Sequence, residues 1–311
     1  MITVRKYTCD DNVVWDDFID SSKNGTFMLK RAYMDYHSDR FIDHSLMFYQ
    51  NEILVALLPC SLHHNELRSH GGLTYGGLIT SIKISVQTVL EIFEKLVDYL
   101  KATNITTLLY KRIPSIYYKY PSDEDLYALF RIGATLVRRD ISTSIYMPNK
   151  IKFSERRRRG CKQALKNQII VKESDDFETY VEILSEILAK YHNTKPVHSA
   201  LELNSLASKL INNIKLYAAY KDDIMLAGVL VYETENVAHA QYIANSDEGR
   251  KYGALDSIFD YLINHQYSNK DYFDFGISTE ENGYLLNEGL VTQKQEFGGR
   301  GIIYDFYQIK V

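Results

Sequence analysis

The chain has 311 residues and a formal net charge of −4 at pH 7, with 45% of its residues hydrophobic. At roughly 100–200 residues per domain, this length predicts two domains, and the apolar content is enough for two cores. The acidic balance speaks against a dedicated nucleic-acid binder, which carries a basic excess, although a local basic patch is compatible with it.

Cys9, Cys60 and Cys161 lie far apart, and no Cys/His cluster has metal-ligand spacing. Reduced thiols, a cytoplasmic location and no metal are therefore expected. No apolar run has the length of a signal peptide or of a membrane-spanning helix, so no membrane insertion is expected.

In chain order, helices around 12–22 and 28–37 lead in. SLMFYQ (45–50), ILVALLPCSL (53–62) and a segment near 66–79 read as strands. Residues 85–102 place Val86, Val89, Leu90, Phe93, Leu96, Val97 and Leu100 on one face, which predicts a helix. A strand at 105–111, a helix at 123–133 and a strand at 135–147 close this half. The second half repeats the order. Helices at 176–192 and near 202–212 precede strands at 214–220, 224–233 and 237–245. The helix at 253–267 comes next, with Leu255, Ile258, Phe259, Leu262 and Ile263 at helical spacing. A strand at 272–278, a short helix near 281–289 and a last strand at 302–309 follow. The junction is expected near Pro148–Ile151, giving domains 1–150 and 151–311.

The stretch SDEGRKYGAL (246–255) puts two glycines and two adjacent cations at the mouth of a helix. A helix N-terminus has unpaired amides and a partial positive charge, and glycine lets a phosphate come close. The stretch reads either as an anion cradle or as a helix entry with a solvated Arg250/Lys251 pair. HGGLTYGG (70–77) is too glycine-rich for a plain strand. It suits close approach to a ligand, with Tyr75 stacking on a base or sugar, and it equally suits a structural bulge. In SERRRRGCKQALKN (154–167) four consecutive arginines wrap a helix, so not all serve one site. No GxSxG, Walker or dinucleotide motif is present, which favours direct transfer over a covalent intermediate.

The element order resembles the GNAT acyltransferase fold, and two such units in one chain resemble the FemABX family and its relatives in cell-surface polysaccharide pathways. The resemblance rests on SKNGTFMLKRAYMDY (22–36), SHGGLTYGGLI (69–79), RRGCKQALK (158–166), KDYFDFGIST (270–279) and KQEFGGR (294–300). It implies an α/β (α+β) chain of two tandem GNAT-like domains, each a mixed, mostly antiparallel sheet flanked by helices. It also implies an N-acyltransferase.

By this resemblance Gly249, Arg250, Lys251, Gly253 and Ala254 form the loop that grips the coenzyme A pyrophosphate, with Leu255 where the family has a second small residue. Acetyl-CoA or another acyl-CoA is the implied donor, and a small-molecule acceptor, such as a nucleotide-linked amino sugar, the implied partner. An aminoacyl-tRNA, the donor of the FemABX proper, is the alternative donor. Lys30, Arg158 and His198 are implied on the acceptor side, with Tyr75. The first domain has no Arg-x-x-Gly loop before its helix and is expected to have lost donor binding.

GNAT enzymes often carry a carboxylate base on the strand that is 237–245 here. None is present, and His239 is the nearest titratable substitute, beside the plainer reading of a core histidine. Asp274 binds the acceptor amine or fixes a turn, and Tyr284 stands where many GNAT enzymes have a tyrosine acid. A non-catalytic GNAT-shaped binding module is the remaining alternative.

Overall fold

A computed structural model describes residues 1–192 and 194–311. The chain divides into Met1–Ile141 with Glu281–Leu285 and Ile303–Val311, and Ser142–Glu280 with Leu286–Ile302. The division falls inside a strand, ahead of the expected boundary at 150/151, and the end of the chain returns to the first unit. The return has a physical cause: the C-terminal strand pairs Phe306 to Lys310 with Lys111 to Thr107.

The first unit contains β1 (Ile2–Lys6), α1 (Asn12–Ser21), α2 (Arg31–Met34), β2 (Ile42–Asp43), β3 (Leu46–Gln50), β4 (Ile53–Leu58), β5 (Ser61–His63), β6 (Glu66–Arg68), β7 (Ile79–Thr80), α3 (Val86–Ala102), β8 (Thr107–Lys111), α4 (Glu124–Arg131) and the start of β9 (Thr135–Tyr146). One sheet has the order β1-β3-β4-β7. Separately, β6 runs parallel to β8, and β5 runs antiparallel to β6. Helix α3 forms because Ser85 caps it, its side chain accepting from the Thr88 amide, and because Val89, Ile92, Phe93, Leu96 and Leu100 share a buried face. That face packs into a core with Leu46, Phe48, Leu58, Leu108 and Tyr110.

The second unit continues β9 and adds α5 (Glu155–Lys166), β10 (Ile170–Ser174), α6 (Phe177–His192), α7 (Ala200–Lys209), β11 (Ile214–Lys221), β12 (Ile224–Glu233), β13 (Val237–Asn245), α8 (Asp247–Tyr252), α9 (Ala254–Tyr261), β14 (Tyr272–Ile277), β15 (Thr279–Glu280) and α10 (Glu288–Glu296), while β16 (Leu285–Leu286) and β17 (Arg300–Lys310) are divided between the two units. Its sheet has the order β10-β11-β12-β13-β14-β9, antiparallel except for the β13/β14 pair. The long apolar run of β12 is buried almost throughout. Ala227, Val229 and Val231 face a core that Ile258, Phe259 and Leu262 complete. The fold is the mixed, mostly antiparallel architecture expected.

Four elements differ from expectation. The segment 66–79 is extended only at β6 and β7, with the glycine-rich stretch looped between them. The helix expected near 281–289 starts later, at Glu288, where the Asn287 side chain accepts from the Leu290 amide. The edge strands β1 and β10 were not anticipated. Both are short and carry exposed polar residues, so they are recognised by their partners rather than by their own sequence. No helix among the described residues is long and apolar enough to cross a membrane.

Candidate active site

In the second unit, β13 and β14 pair over three residues only: Val237↔Tyr272, Ala238↔Phe273 and His239↔Asp274. Beyond that point β13 runs on to Asn245 and β14 to Ile277 without pairing, so the two strands fork. Each strand carries an irregularity at the fork. On β13, Leu230 faces Tyr242 and Val231 faces Ala240, leaving Gln241 as an extra residue. This bulge bends the strand and interrupts the alternation that would set Gln241 beside His239. On β14, the register against β9 shifts between Asp274 and Ile277. Gly276 sits there at φ +76°, a conformation that L side chains rarely adopt.

His239 is the last paired residue of β13, and its Nδ1 lies 2.7 Å from Asp274 Oδ2. Asp274 is fully buried. Its carboxylate accepts from Ser142 Oγ at 2.7 Å, from Ser144 Oγ, and from the Gly276 amide at 3.2 Å. Burial by itself would raise this carboxyl. The hydrogen bond and charge of His239, with the hydroxyls of Ser144 and Ser142, outweigh burial and hold it below its ordinary value. Asp274 thus holds the imidazole and, through the Gly276 amide, the local turn of β14. The imidazole makes no second hydrogen bond among the described residues, which leaves Nε2 to meet a ligand.

Lys294 of α10 reaches the same strand. Its Nζ donates to Gly276 O at 2.8 Å, Ile277 O at 2.7 Å and Ser278 Oγ at 2.9 Å. It thus takes up carbonyls of β14 beyond its last pairing with β13. Burial pulls this ammonium down to about 8, with the Asp274 carboxylate opposing the shift. Sequence reasoning noticed the string KQEFGGR but not that its lysine would be buried.

Most of the expected loop 249–254 is helical. Residues 247–252 are helical, and within them Gly249 N–H donates to Ser246 Oγ and Arg250 N–H to Ser246 O. Gly253 N–H donates to Gly249 O. Gly253 then takes φ +74° and opens α9 without a side-chain cap. The amides of Ala254, Leu255 and Asp256 find no acceptor among the described residues. A Cβ at Gly253 would stand 2.3 Å from Gly160 O of α5, so only glycine fits.

A cavity of about 930 Å³ adjoins this helix start, with Asn245, Gly249, Gly253, Leu255 and Asp256 in its wall. Arg156, Arg157, Arg159 and Arg250 line it, against the carboxylates Glu155 and Asp256. Arg157 bridges Asp256 at 3.0 Å and Glu296 at 2.6 Å. Burial raises the Asp256 carboxyl, with Arg157 opposing. Arg250 also lies over the Tyr191 ring, 4.5 Å from its centroid.

The structure places the other predicted residues differently. Ala254 is fully buried as the first residue of α9. Lys251 contributes its carbonyl, which accepts from Gln163 Nε2, and its exposed side chain is not in the cavity wall. Arg158 lines a separate cavity and pairs with Glu155 at 2.6 Å. His198 precedes α7 and its Nδ1 lies 2.8 Å from the Tyr242 hydroxyl on β13. The cap of α7 is Ser199, which forms a capping box with Glu202.

Two expectations are corrected. Tyr75 is 1% exposed, packs on Tyr117 with centroids 4.8 Å apart and donates to Thr26 Oγ1, so its ring is core rather than a stacking platform. Tyr284 is 88% exposed and precedes α10 instead of lying early in that helix. Lys30, in the first unit, is held at 2.6 Å by Asp20.

The second unit thus joins two forked parallel strands by a helix that starts on a glycine. Residues 152–284 match the Acetyltransferase (GNAT) domain family, and this segment is a GNAT domain. The chain therefore contains an acetyltransferase-type domain and has a tandem GNAT-like fold.

Over its whole length the chain is similar to the crystal structure of FemX, with a TM-score of 0.71 at 11% identity, covering 99% of this chain and 97% of that one. It is also similar to the structure of L-PGS from Bacillus licheniformis, with a TM-score of 0.63 at 10% identity over 96% and 91% of the two chains. A tandem GNAT protein from the clavulanic acid biosynthesis pathway gives a TM-score of 0.51 at 10% identity over 100% and 98%. At these identities the likeness is one of fold. No characterised protein matches the chain at the level of its sequence.

Proposed function

We propose that this protein transfers an acyl group from acyl-CoA to the amine of a sugar intermediate, by direct transfer in a ternary complex in the cytoplasm. The observation that carries the reading is the fork that opens after the His239–Asp274 pair, together with the first-turn amides of α9 that have no acceptor among the described residues. The donor diphosphate would sit on the amides of Ala254, Leu255 and Asp256, with Arg250 and Arg159 adding charge. The pantetheine arm would lie in the fork. The acceptor nitrogen attacks the thioester carbonyl and gives its proton to His239 Nε2, with Asp274 holding the ring. Strand amides freed beyond the β13 bulge would bind the oxyanion. Collapse breaks the C–S bond, and the departing thiolate takes the proton from the imidazolium. His198 remains a candidate on the acceptor side, whereas Arg158 lines a separate cavity and is not assigned there.

A second reading has a specific support. FemX and L-PGS share this fold at TM-scores of 0.71 and 0.63, and the resemblance to FemABX implies an aminoacyl-tRNA donor for peptidoglycan precursors. The two donors separate in a titration. Acetyl-CoA is expected to raise the unfolding temperature saturably, as any ligand of the native state does. Charged tRNA is expected to bind weakly and to be lost by moderate salt. Salt-sensitive tRNA binding without any response to acetyl-CoA would replace the first reading with the second. No response to either would leave a non-catalytic binding module.

A further inference from the structure

The second unit contains another cavity, of about 330 Å³, that the proposed reaction does not use. Its floor is the apolar core: Ile145, Ile263 and Phe297 belong to the cluster of the second unit, and Phe153 packs edge-on to Phe297 with centroids 5.2 Å apart. Its rim is cationic, with Lys150, Lys152 and Arg158 against the single carboxylate of Asp260.

The cavity is on the opposite side of the sheet from the dyad. Ile145 pairs with Phe273, and both face the core under α9. Their neighbours Ser144 and Asp274 point the other way by strand alternation, toward His239. A ligand here is neither attacked nor activated by the dyad.

Two features show a shaped site rather than a packing gap. First, the wall is a five-residue π turn, Leu262–Gln266, continuing α9. Such turns concentrate at functional sites because they displace side chains from the regular helical positions. Lys150 fixes this turn, its Nζ donating to Asn264 Oδ1 at 2.8 Å and to Ile263 O at 3.3 Å. Asn264 in turn donates to Asp260 Oδ1 at 2.8 Å, which occupies the one carboxylate. Second, the rim charge is not internally neutralised. Arg158 has Glu155, but Lys152 has no carboxylate partner among the described residues.

We propose that this cavity binds a compact organic anion: an aromatic or branched aliphatic body on the Ile145–Ile263–Phe297 floor, with one carboxylate or phosphate toward Lys152 and Arg158. The volume sets the size. Taking about 30 Å³ per water-sized group, it holds a ligand of roughly ten non-hydrogen atoms, at the small end of ligand cavities. The charge sets the sign, because an anion removes the excess of cations over carboxylates at the rim.

Phenylacetate is a suitable probe and phenylacetamide its neutral control, followed by ligand-detected NMR on the full chain. Phenylacetate is expected to bind saturably and at least fivefold more tightly than the amide. Lys152→Gln is expected to weaken it by a similar factor. Ile151→Trp, at a half-exposed position of the wall, is expected to abolish binding by filling the cavity, with an unchanged unfolding temperature as the folding control. Acetyl-CoA is expected not to displace the probe. Absence of binding, equal binding of the amide, displacement by acetyl-CoA, or insensitivity to both substitutions would each overturn the proposal.

Discussion

The two units share an element order but treat the equivalent opening in opposite ways. In the second unit the parallel pair β13/β14 separates after His239 and Asp274, and the next helix starts on an uncapped glycine. In the first unit the parallel pair β6/β8 is followed by further ties. Ser69 N–H donates to Leu109 O, Lys111 N–H to Ser69 Oγ, and Gly76 N–H to Lys111 O. Tyr110 fills the space behind them, its hydroxyl accepting from the Leu78 amide and donating to Asp125. The helix of that unit has Ser85 as its own cap. Polar backbone groups have to be satisfied in either case. One unit does it with its own side chains, while in the other the first amides of α9 have no acceptor among the described residues.

The largest test of this contrast is on the open side. His239→Gln is expected to lower kcat by about 10²–10⁴ while leaving donor affinity within about twofold, the pattern of a lost proton acceptor. Steady-state kinetics with a titration of acetyl-CoA reads both. A fall in affinity with unchanged kcat would make His239 a binding residue instead.

Next is Gly253→Ala. With φ +74° and Gly160 O in the way, it is expected to cost about 1–3 kcal/mol of stability. It is also expected to weaken donor binding at least tenfold, measured by chemical denaturation and calorimetry. Undiminished binding would remove the cradle from the account.

Each unit also buries a lysine on backbone carbonyls, and the two should differ in degree. Lys111 Nζ donates to the carbonyls of Gly71 and Leu73, and burial, with Arg138 and Arg68 nearby, pulls it to about 7; Lys294 reaches only about 8. A lysine depressed in the folded state takes up its proton more readily when unfolded. Stability therefore rises with pH from the folded value up toward the ordinary lysine range, and the cost is fully present below the folded value. Lys111→Met is expected to flatten this rise from about pH 7 to 10, and Lys294→Met a narrower one from about pH 8, in urea melts across that range. Parallel slopes in wild type and both variants would show that neither lysine is desolvated as described.

The smallest effect is expected on the closed side. Ser85→Ala should cost about 1 kcal/mol through loss of the α3 cap, with kcat and donor affinity unchanged. A measurable loss of turnover would mean that the first unit takes part in the chemistry beyond its fold.

Much of the open side was legible in the sequence because it is written locally. Strands 214–220, 224–233 and 237–245 stand out by composition, and Gly253 lies directly before an amphipathic run. His239 is singled out through the resemblance, as the nearest titratable residue on the strand where GNAT enzymes often carry a carboxylate. Its partner was not assigned that role, because Asp274 and the two serines on β9 come together only through sheet pairing across more than 100 positions. Lys294 went unremarked because a lysine in a polar helix gives no sign that it will be buried. Tyr75 misled for the converse reason. A glycine-rich stretch signals close approach of backbone, and here what approaches is the protein's own packing, with Tyr117 against the ring.

The central claim is that the first turn of α9 holds the donor diphosphate. A crystal of the protein soaked with coenzyme A tests it directly. The account predicts diphosphate oxygens within about 3 Å of the Ala254, Leu255 and Asp256 amides, with the pantetheine arm running into the fork toward His239. Diphosphate density elsewhere, or an arm that leaves the fork empty, would contradict it.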